Sequence, residues 1–277
     1  MRKRWQLALF ASLAIVFLII APRDGASQAS SRSGDPAFGG GPPSEARASA
    51  SPIGDPDFLF QRPRVSVGIR GGMFRHRAES ELHDFTTSQF TIAQSDFQGV
   101  ALGIEGALWL NSKFELTVGI DGSRLTRRTS DRHWIDFEDG SEIRQTTRLR
   151  HGPSVSLGAR WFIRDRGEEL SRFVWVPAEW NVFLGGGGGI TGYRFEQWGD
   201  FVDEVAEIVF SDEFASEGSA LFPYLAVGAE IGLTPRASVM VESRYQWGED
   251  HLSRDFGNFG PLDLAGTRLT AGLYYRL

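Results

Sequence analysis

From Arg64 onward the chain changes character at every second residue, and it does so in eight separate stretches of roughly ten residues. A period of two belongs to a β-strand, whose side chains alternate between two faces; a helix would repeat every 3.6 residues. In the first stretch Val65, Val67, Ile69 and Met73 share a face, while Ser66, Gly68, Arg70 and Gly72 share the other. The second sets Val100, Leu102, Ile104 and Leu108 against Gly99, Ala101, Gly103, Glu105 and Ala107, and the third sets Phe114, Leu116, Val118 and Ile120 against Glu115, Thr117, Gly119 and Asp121. The fourth places Val155, Leu157, Ala159 and Trp161 opposite Ser154, Ser156, Gly158 and Arg160. Four more follow around Trp180–Gly187, Tyr224–Leu233, Ser238–Trp247 and Arg268–Leu277. The chain is predicted to be all-β.

Alternation does not say which face is inside, because a water-soluble carrier barrel would turn the same apolar set inward. Three features select the opposite arrangement. Glycine falls mostly in the polar set, as a crowded lumen requires. That set carries both signs of charge at similar depth: Arg70, Glu105, Arg160, Glu230, Glu242, Arg244 and Arg268. Buried charges must be paired, and a lumen of mixed sign permits it. The apolar set is almost free of charge, which suits hydrocarbon, where Arg or Lys at mid-depth costs about 2–4 kcal/mol.

The connections alternate in length as well. Asn111-Ser112 and Thr234-Pro235-Arg236 are tight turns, and residues 164–176 form a longer connection at the same end. Residues 77–96, 126–147, 194–219 and 248–263 read as long polar loops, with a short helix expected at 200–210. Short turns at one end and long loops at the other characterise a membrane-spanning, antiparallel, up-and-down barrel. Eight strands are expected; ten are possible if 85–92 or 172–176 adds a pair. Trp109, Phe114, Trp161, Trp180 and Tyr275 lie near the turns, with Tyr245 and Trp247 at the other end, where interfacial aromatic girdles are expected.

The start of the chain supports export. Arg2, Lys3 and Arg4 precede an apolar core, Leu7 to Ala21, and small residues Ala26, Ser27 and Ala29 follow, so residues 1–29 read as a signal peptide. Residues 30–63, rich in Ser, Gly, Pro and Ala, read as a disordered periplasmic leader, and 64–277 as the barrel. With no cysteine, disulfide stapling and a lipid-modified lipoprotein start are excluded. Residues 1–29 hold Arg2, Lys3, Arg4, Arg23 and Asp24; without them the chain has 25 basic and 34 acidic side chains, a balance of -9. An acidic surface disfavours nucleic acid as a partner.

The last residues, Thr270-Ala271-Gly272-Leu273-Tyr274-Tyr275-Arg276-Leu277, resemble the terminal signal strand of bacterial outer-membrane barrels. Thr270, Gly272 and Tyr275 fit that pattern, and Leu277 stands where an aromatic residue is usual. Residues 64–277 as a whole are similar in architecture to the small OmpA/OmpX-like barrels, without a following peptidoglycan-binding domain. The resemblance implies a Gram-negative outer membrane, contact with its lipid and lipopolysaccharide, and handling by the barrel-assembly machinery, with N-terminal leader and C-terminus in the periplasm. It brings no active-site residues.

A barrel of eight strands is filled by its own side chains, so the expected role is a closed scaffold whose outer loops bind an unidentified ligand. No cofactor is expected. Two alternatives differ in class. A lipid acyl hydrolase would need a nucleophile and a base in reach; His251 and Ser253, with Asp250 or Asp255 orienting, are the best placed. A narrow solute channel would need a wider, ten-stranded barrel. Two acidic groups, Asp131, Asp136, Glu138, Asp139 and Glu142, and Glu196, Asp200, Asp203, Glu204, Glu207, Asp212, Glu213 and Glu217, could take a hard cation. Their spacing matches no calcium loop, and solvated loop charge is the simpler reading.

Overall fold

The computed structural model describes residues 58–277 except 137–139, 204, 205 and 207. The expected signal peptide and residues 30–57 of the leader lie outside the described residues. Eight antiparallel strands close into one barrel. They are β1 (Val65–His76), β2 (Gln98–Trp109), β3 (Phe114–Ile135), β4 (Glu142–Phe162), β7 (Trp180–Asp203), β8 (Ile208–Gly232), β9 (Ala237–Gln246) and β12 (Gly266–Arg276). Each pairs with its neighbours in the chain, and β1 pairs with β12 from Ser66↔Arg276 to His76↔Gly266 to close the ring. Closure removes every free sheet edge, which hydrocarbon would otherwise leave without hydrogen-bond partners.

The strands differ in length, and the difference sets the shape. β1, β2, β9 and β12 have 10 to 12 residues, close to the 9–11 or so that a tilted strand needs to cross a membrane. β3, β4, β7 and β8 have 21 to 25. These four are contiguous in the ring, so half of the wall continues past the membrane band as a curved sheet, about 30 Å further at 3.3 Å per residue.

Along this extension the alternation persists, but its sense reverses. Within the band β3 points Glu115, Thr117 and Asp121 inward and Leu116, Val118 and Ile120 outward; beyond it, Leu125 is buried and Arg124, Thr126 and Arg128 are exposed. On β7, Thr191 is the last polar residue of the inner face before buried Tyr193 and Phe195, while Ile190 gives way outside to Arg194. A strand leaving lipid for water must exchange the chemistry of its two faces. On β4 the change coincides with an irregularity between His151 and Ser154 that shifts the register against β7 and leaves both Arg150 and Val155 exposed.

These observations correct four expectations. Residues 126–147 and 194–219 are chiefly strand, and the described residues of 200–210 hold the ends of β7 and β8 and no helix. Residues 85–92 add no strand, because Glu81–Gln89 forms a helix, α1. The hairpin of β5 (Gly167–Ser171) and β6 (Val174–Pro177) is a separate two-stranded sheet, so the barrel has eight strands and not ten. Two further short strands, β10 (Glu249–Asp250) and β11 (Leu262–Asp263), pair within the last loop. Near the β5–β6 hairpin Leu59 exchanges both backbone hydrogen bonds with Trp175, at 2.8 and 2.9 Å.

Candidate functional site

The interior is filled at two levels. In the membrane band, all seven lumen charges read from the sequence are buried: Arg70, Glu105, Arg160, Glu230, Glu242, Arg244 and Arg268. Strand parity aims each of them inward. Arg70 reaches Glu105 at 2.8 Å, Asp121 at 3.0 Å and Glu242 at 3.3 Å. Arg160 reaches Glu105 and Glu242, each at 2.6 Å, and Glu115 at 3.1 Å. Arg244 lies 2.9 Å from Glu242, and Arg268 pairs with Asp121. Guanidinium groups suit such a lattice because each offers five donors in a rigid fork.

Glu230 belongs to a second group nearer the turns, and that group contains residues the charge reading did not include. Arg166 donates to Glu230 at 2.8 Å and to Glu115 at 2.5 Å, and Arg276 donates to Glu230 at 2.9 Å. Glu115, Asp121 and Arg276 were recoverable from parity, since each falls in the polar set of its strand. Arg166 carried no such signal. It enters the lumen from the connection between β4 and β5 and lies 3.4 Å from the centre of the Trp109 ring and 4.2 Å from that of Phe162. Trp109 is consequently only 5% exposed, which removes it from the expected girdle: it points inward and closes the floor against Trp175. Phe114, Trp161, Trp180 and Tyr275 do face outward.

Beyond the membrane band, the concave face of the extended sheet carries an ordinary apolar core. Leu125, Leu149, Tyr193, Phe195 and Ala220 of the sheet pack with Leu82, Phe90, Ile92 and Phe97 from residues 77–97, and with Leu252, Phe256, Leu262 and Leu264 from residues 248–264. The two connections fold inward as a cap. Polar contacts fix their edges: Arg77 to Asp263 at 2.8 Å, Glu81 accepting from the Gly260 amide at 2.9 Å, and Gln89 to Asp131 at 3.0 Å. The bond to Asp263 raises the Arg77 pKa. On α1 the His83 ring is sealed against Phe97, with Nδ1 2.7 Å from the Ser80 hydroxyl; burial holds its pKa down at about 4.

The remaining sequence candidates do not converge. His251 and Ser253 lie in loop backbone, with no hydrogen bond between them; Ser253 Oγ donates to the Glu217 carbonyl at 3.0 Å, and the His251 carbonyl accepts from the Tyr193 hydroxyl. Asp255 accepts from the Ala215 amide. Glu138, Asp139, Glu204 and Glu207 lie outside the described residues, and the described members of the acidic groups are dispersed. Glu196 is buried against Arg194 and Arg148, Asp131 accepts from the His133 amide, and Glu217 meets Arg254. No set of three or more His, Asp or Glu side chains is gathered as a metal site among the described residues. Of the terminal-strand residues, Thr270 is buried in the lumen wall, while Tyr275 and Leu277 are exposed. Gly272 lies where an added Cβ would come 2.7 Å from the Ile69 carbonyl oxygen.

No family model matches the chain, and no curated protein matches its sequence. Among solved structures, several outer-membrane proteins are similar in fold. The attachment invasion locus protein Ail of Yersinia pestis, in complex with the heparin analogue sucrose octasulfate, is 11% identical, with 77% of this chain and 99% of that one covered and a TM-score of 0.37. Neisserial surface protein A is 12% identical, with 80% and 98% covered and a TM-score of 0.39. A major outer membrane protein of Thermus thermophilus is 13% identical, with 78% and 100% covered and a TM-score of 0.41.

Proposed function

We propose that the protein is a closed outer-membrane scaffold that raises an interaction surface away from the bilayer. One observation carries this reading: four adjacent strands continue far beyond the membrane band and enclose a core of their own. A chain selected only to span the bilayer would have no use for that second storey. The loop end then faces outward, and the turns, the leader and the C-terminus face the periplasm. The lumen charges brace the wall as ion pairs and leave no open conduit. Thr270, Gly272, Tyr275 and Leu277 serve as the insertion signal.

The binding surface is placed at the strand tips. Ile208 and Val209 at the start of β8 and Ile135 at the end of β3 are exposed apolar side chains well clear of the lipid band. Exposed apolar side chains at the strand tips favour a protein or membrane surface as partner. The test replaces residues 202–209 with Asn-Gly, a pair that closes a two-residue hairpin between the facing residues Phe201 and Phe210. Cells producing the full chain are expected to adhere to epithelial monolayers, and cells with the shortened tip to fall to background, while both proteins keep the heat-modifiable gel migration of a folded barrel. Equal adhesion of the two would overturn the reading.

A further inference from the structure

Where the outer face of β3, β4 and β7 leaves the apolar band, Arg124, Arg150 and Arg194 form a row. They stand directly opposite one another in register: Arg124 faces Arg150, and Arg150 faces Arg194. Facing residues on adjacent strands have Cβ atoms about 4.5–5.5 Å apart, and like charges so placed are destabilising. The chain has more carboxylates than basic groups, yet it places none between these three. Arg194, at the end of the row, leans on Glu196 at 2.8 Å and lies 4.0 Å from Glu217 on β8. Arg124 and Arg150 are exposed, and neither has a side-chain hydrogen bond or ion pair among the described residues. Arg148, two residues from Arg150 on the same face, is held by Glu196 at 3.4 Å and lies 4.3 Å from the Trp198 ring centre.

The depth of the row is fixed by its neighbours. Four residues back along β3 and β7 lie Ile120 and Ile190, and beyond the β4 irregularity lies Val155; these three face one another across the strands and are exposed to lipid. The two rows are about 13 Å apart, and only Gly122 and Gly192 occupy the outward positions between them on β3 and β7. The arginines therefore sit at headgroup level, directly above hydrocarbon.

We propose that Arg124, Arg150 and Arg194 form a site for the phosphate groups of a membrane glycolipid, the phosphorylated lipopolysaccharide of the leaflet at the loop end. A guanidinium fork binds phosphate oxygens bidentately, and the two adjacent unpartnered forks, Arg124 and Arg150, match the double charge of a phosphate monoester, with Arg194 beside them. The ligand's acyl chains lie along Ile120, Val155 and Ile190. A dianion placed between the arginines turns a repulsive row into an attractive one. The site draws on the outward orientation of the loop end for its leaflet, but it is independent of any partner at the strand tips.

The test uses the full chain, refolded in zwitterionic detergent, with native mass spectrometry as the readout of bound lipid. It is titrated with bisphosphorylated lipid A, with the same lipid after removal of its phosphates, and with inorganic pyrophosphate. The phosphorylated lipid is expected to bind preferentially, and Arg124→Gln/Arg150→Gln to weaken it about tenfold or more, as expected for hydrogen bonds to a charged group. Without lipid, the double variant is expected to be at least as heat-resistant as the parent, because two facing charges are gone. Arg150→Lys keeps the charge and loses the fork, so it is expected to weaken lipid binding even if the double variant does not fold. Equal affinity for the dephosphorylated lipid, undiminished binding by a folded variant, or pyrophosphate binding as tightly as the lipid would overturn the site.

Discussion

Glu242 touches three arginines, Arg70, Arg160 and Arg244, and no water-exposed group relieves them. The buried lattice holds six arginines (Arg70, Arg160, Arg166, Arg244, Arg268 and Arg276) against five carboxylates (Glu105, Glu115, Asp121, Glu230 and Glu242). Its balance already leans positive. Glu242→Gln removes a charge that several guanidiniums share, and breaking a buried pair by deleting one partner costs about 3–5 kcal/mol. Unfolding of the detergent-solubilised barrel in guanidinium chloride should show a loss of that size. Glu142→Gln, at an exposed pair with Arg144, should change stability by less than about 0.5 kcal/mol.

A second residue-scale effect concerns acid. His83 is neutral in the folded cap, with its pKa depressed by burial to about 4 against an ordinary value of about 6.5. The unfolded chain therefore takes up the proton first as the pH falls. The contribution of His83 to cap stability is full above about 6.5, declines between 6.5 and 4, and is level below, a loss on the order of 3 kcal/mol. Thermal unfolding of the cap at pH 7, 5.5 and 4 should trace this decline, and His83→Asn, which keeps an acceptor near Ser80 and does not titrate, should make it shallower.

At the scale of elements, the cap and the membrane wall share strands but have different cores. Phe195 on β7 is fully buried in the cap and packs edge-to-face on Phe256, with ring centres 5.3 Å apart. Phe195→Ala should cost the cap about 3–5 kcal/mol and expose residues 77–97 to protease. The membrane strands should stay protected, because their lattice lies elsewhere.

The eight strands and their faces were legible because lipid and a crowded lumen impose opposite demands on alternate residues such as Ile69 and Arg70. The tall half of the wall was not legible for a related reason. At Arg124 and Arg194 the alternation continues with its sense reversed, and a pattern sought only as apolar-out stops there. On β4 the Gly152-Pro153 irregularity adds a break in parity. Helix α1 lacks a strong apolar stripe of its own; tertiary packing on the sheet holds Leu82 and Phe90 in place, so its sequence shows little helical periodicity. Arg166 was hidden because nothing in a polar connection marks which of its charges will turn inward.

At the scale of the whole molecule, the lattice and the cap obstruct the same passage one after the other. Planar-bilayer recordings of the purified protein should therefore show no unitary conductance. Steady channel openings would mean that the cap and the lattice move aside together.

The pairing of β1 with β12 joins segments some two hundred residues apart, and Arg70 of β1 draws its carboxylates from three other strands, with Glu105 on β2, Asp121 on β3 and Glu242 on β9. A sheet not yet rolled up keeps β2 and β3 beside β1 but would hold that guanidinium away from Glu242, across the open seam, in a medium that solvates ions poorly. Half-curled intermediates are thus penalised twice, once for open backbone and once for stranded charge. Insertion should proceed as a single cooperative event, slow to begin and, once the seam has zipped, equally slow to reverse.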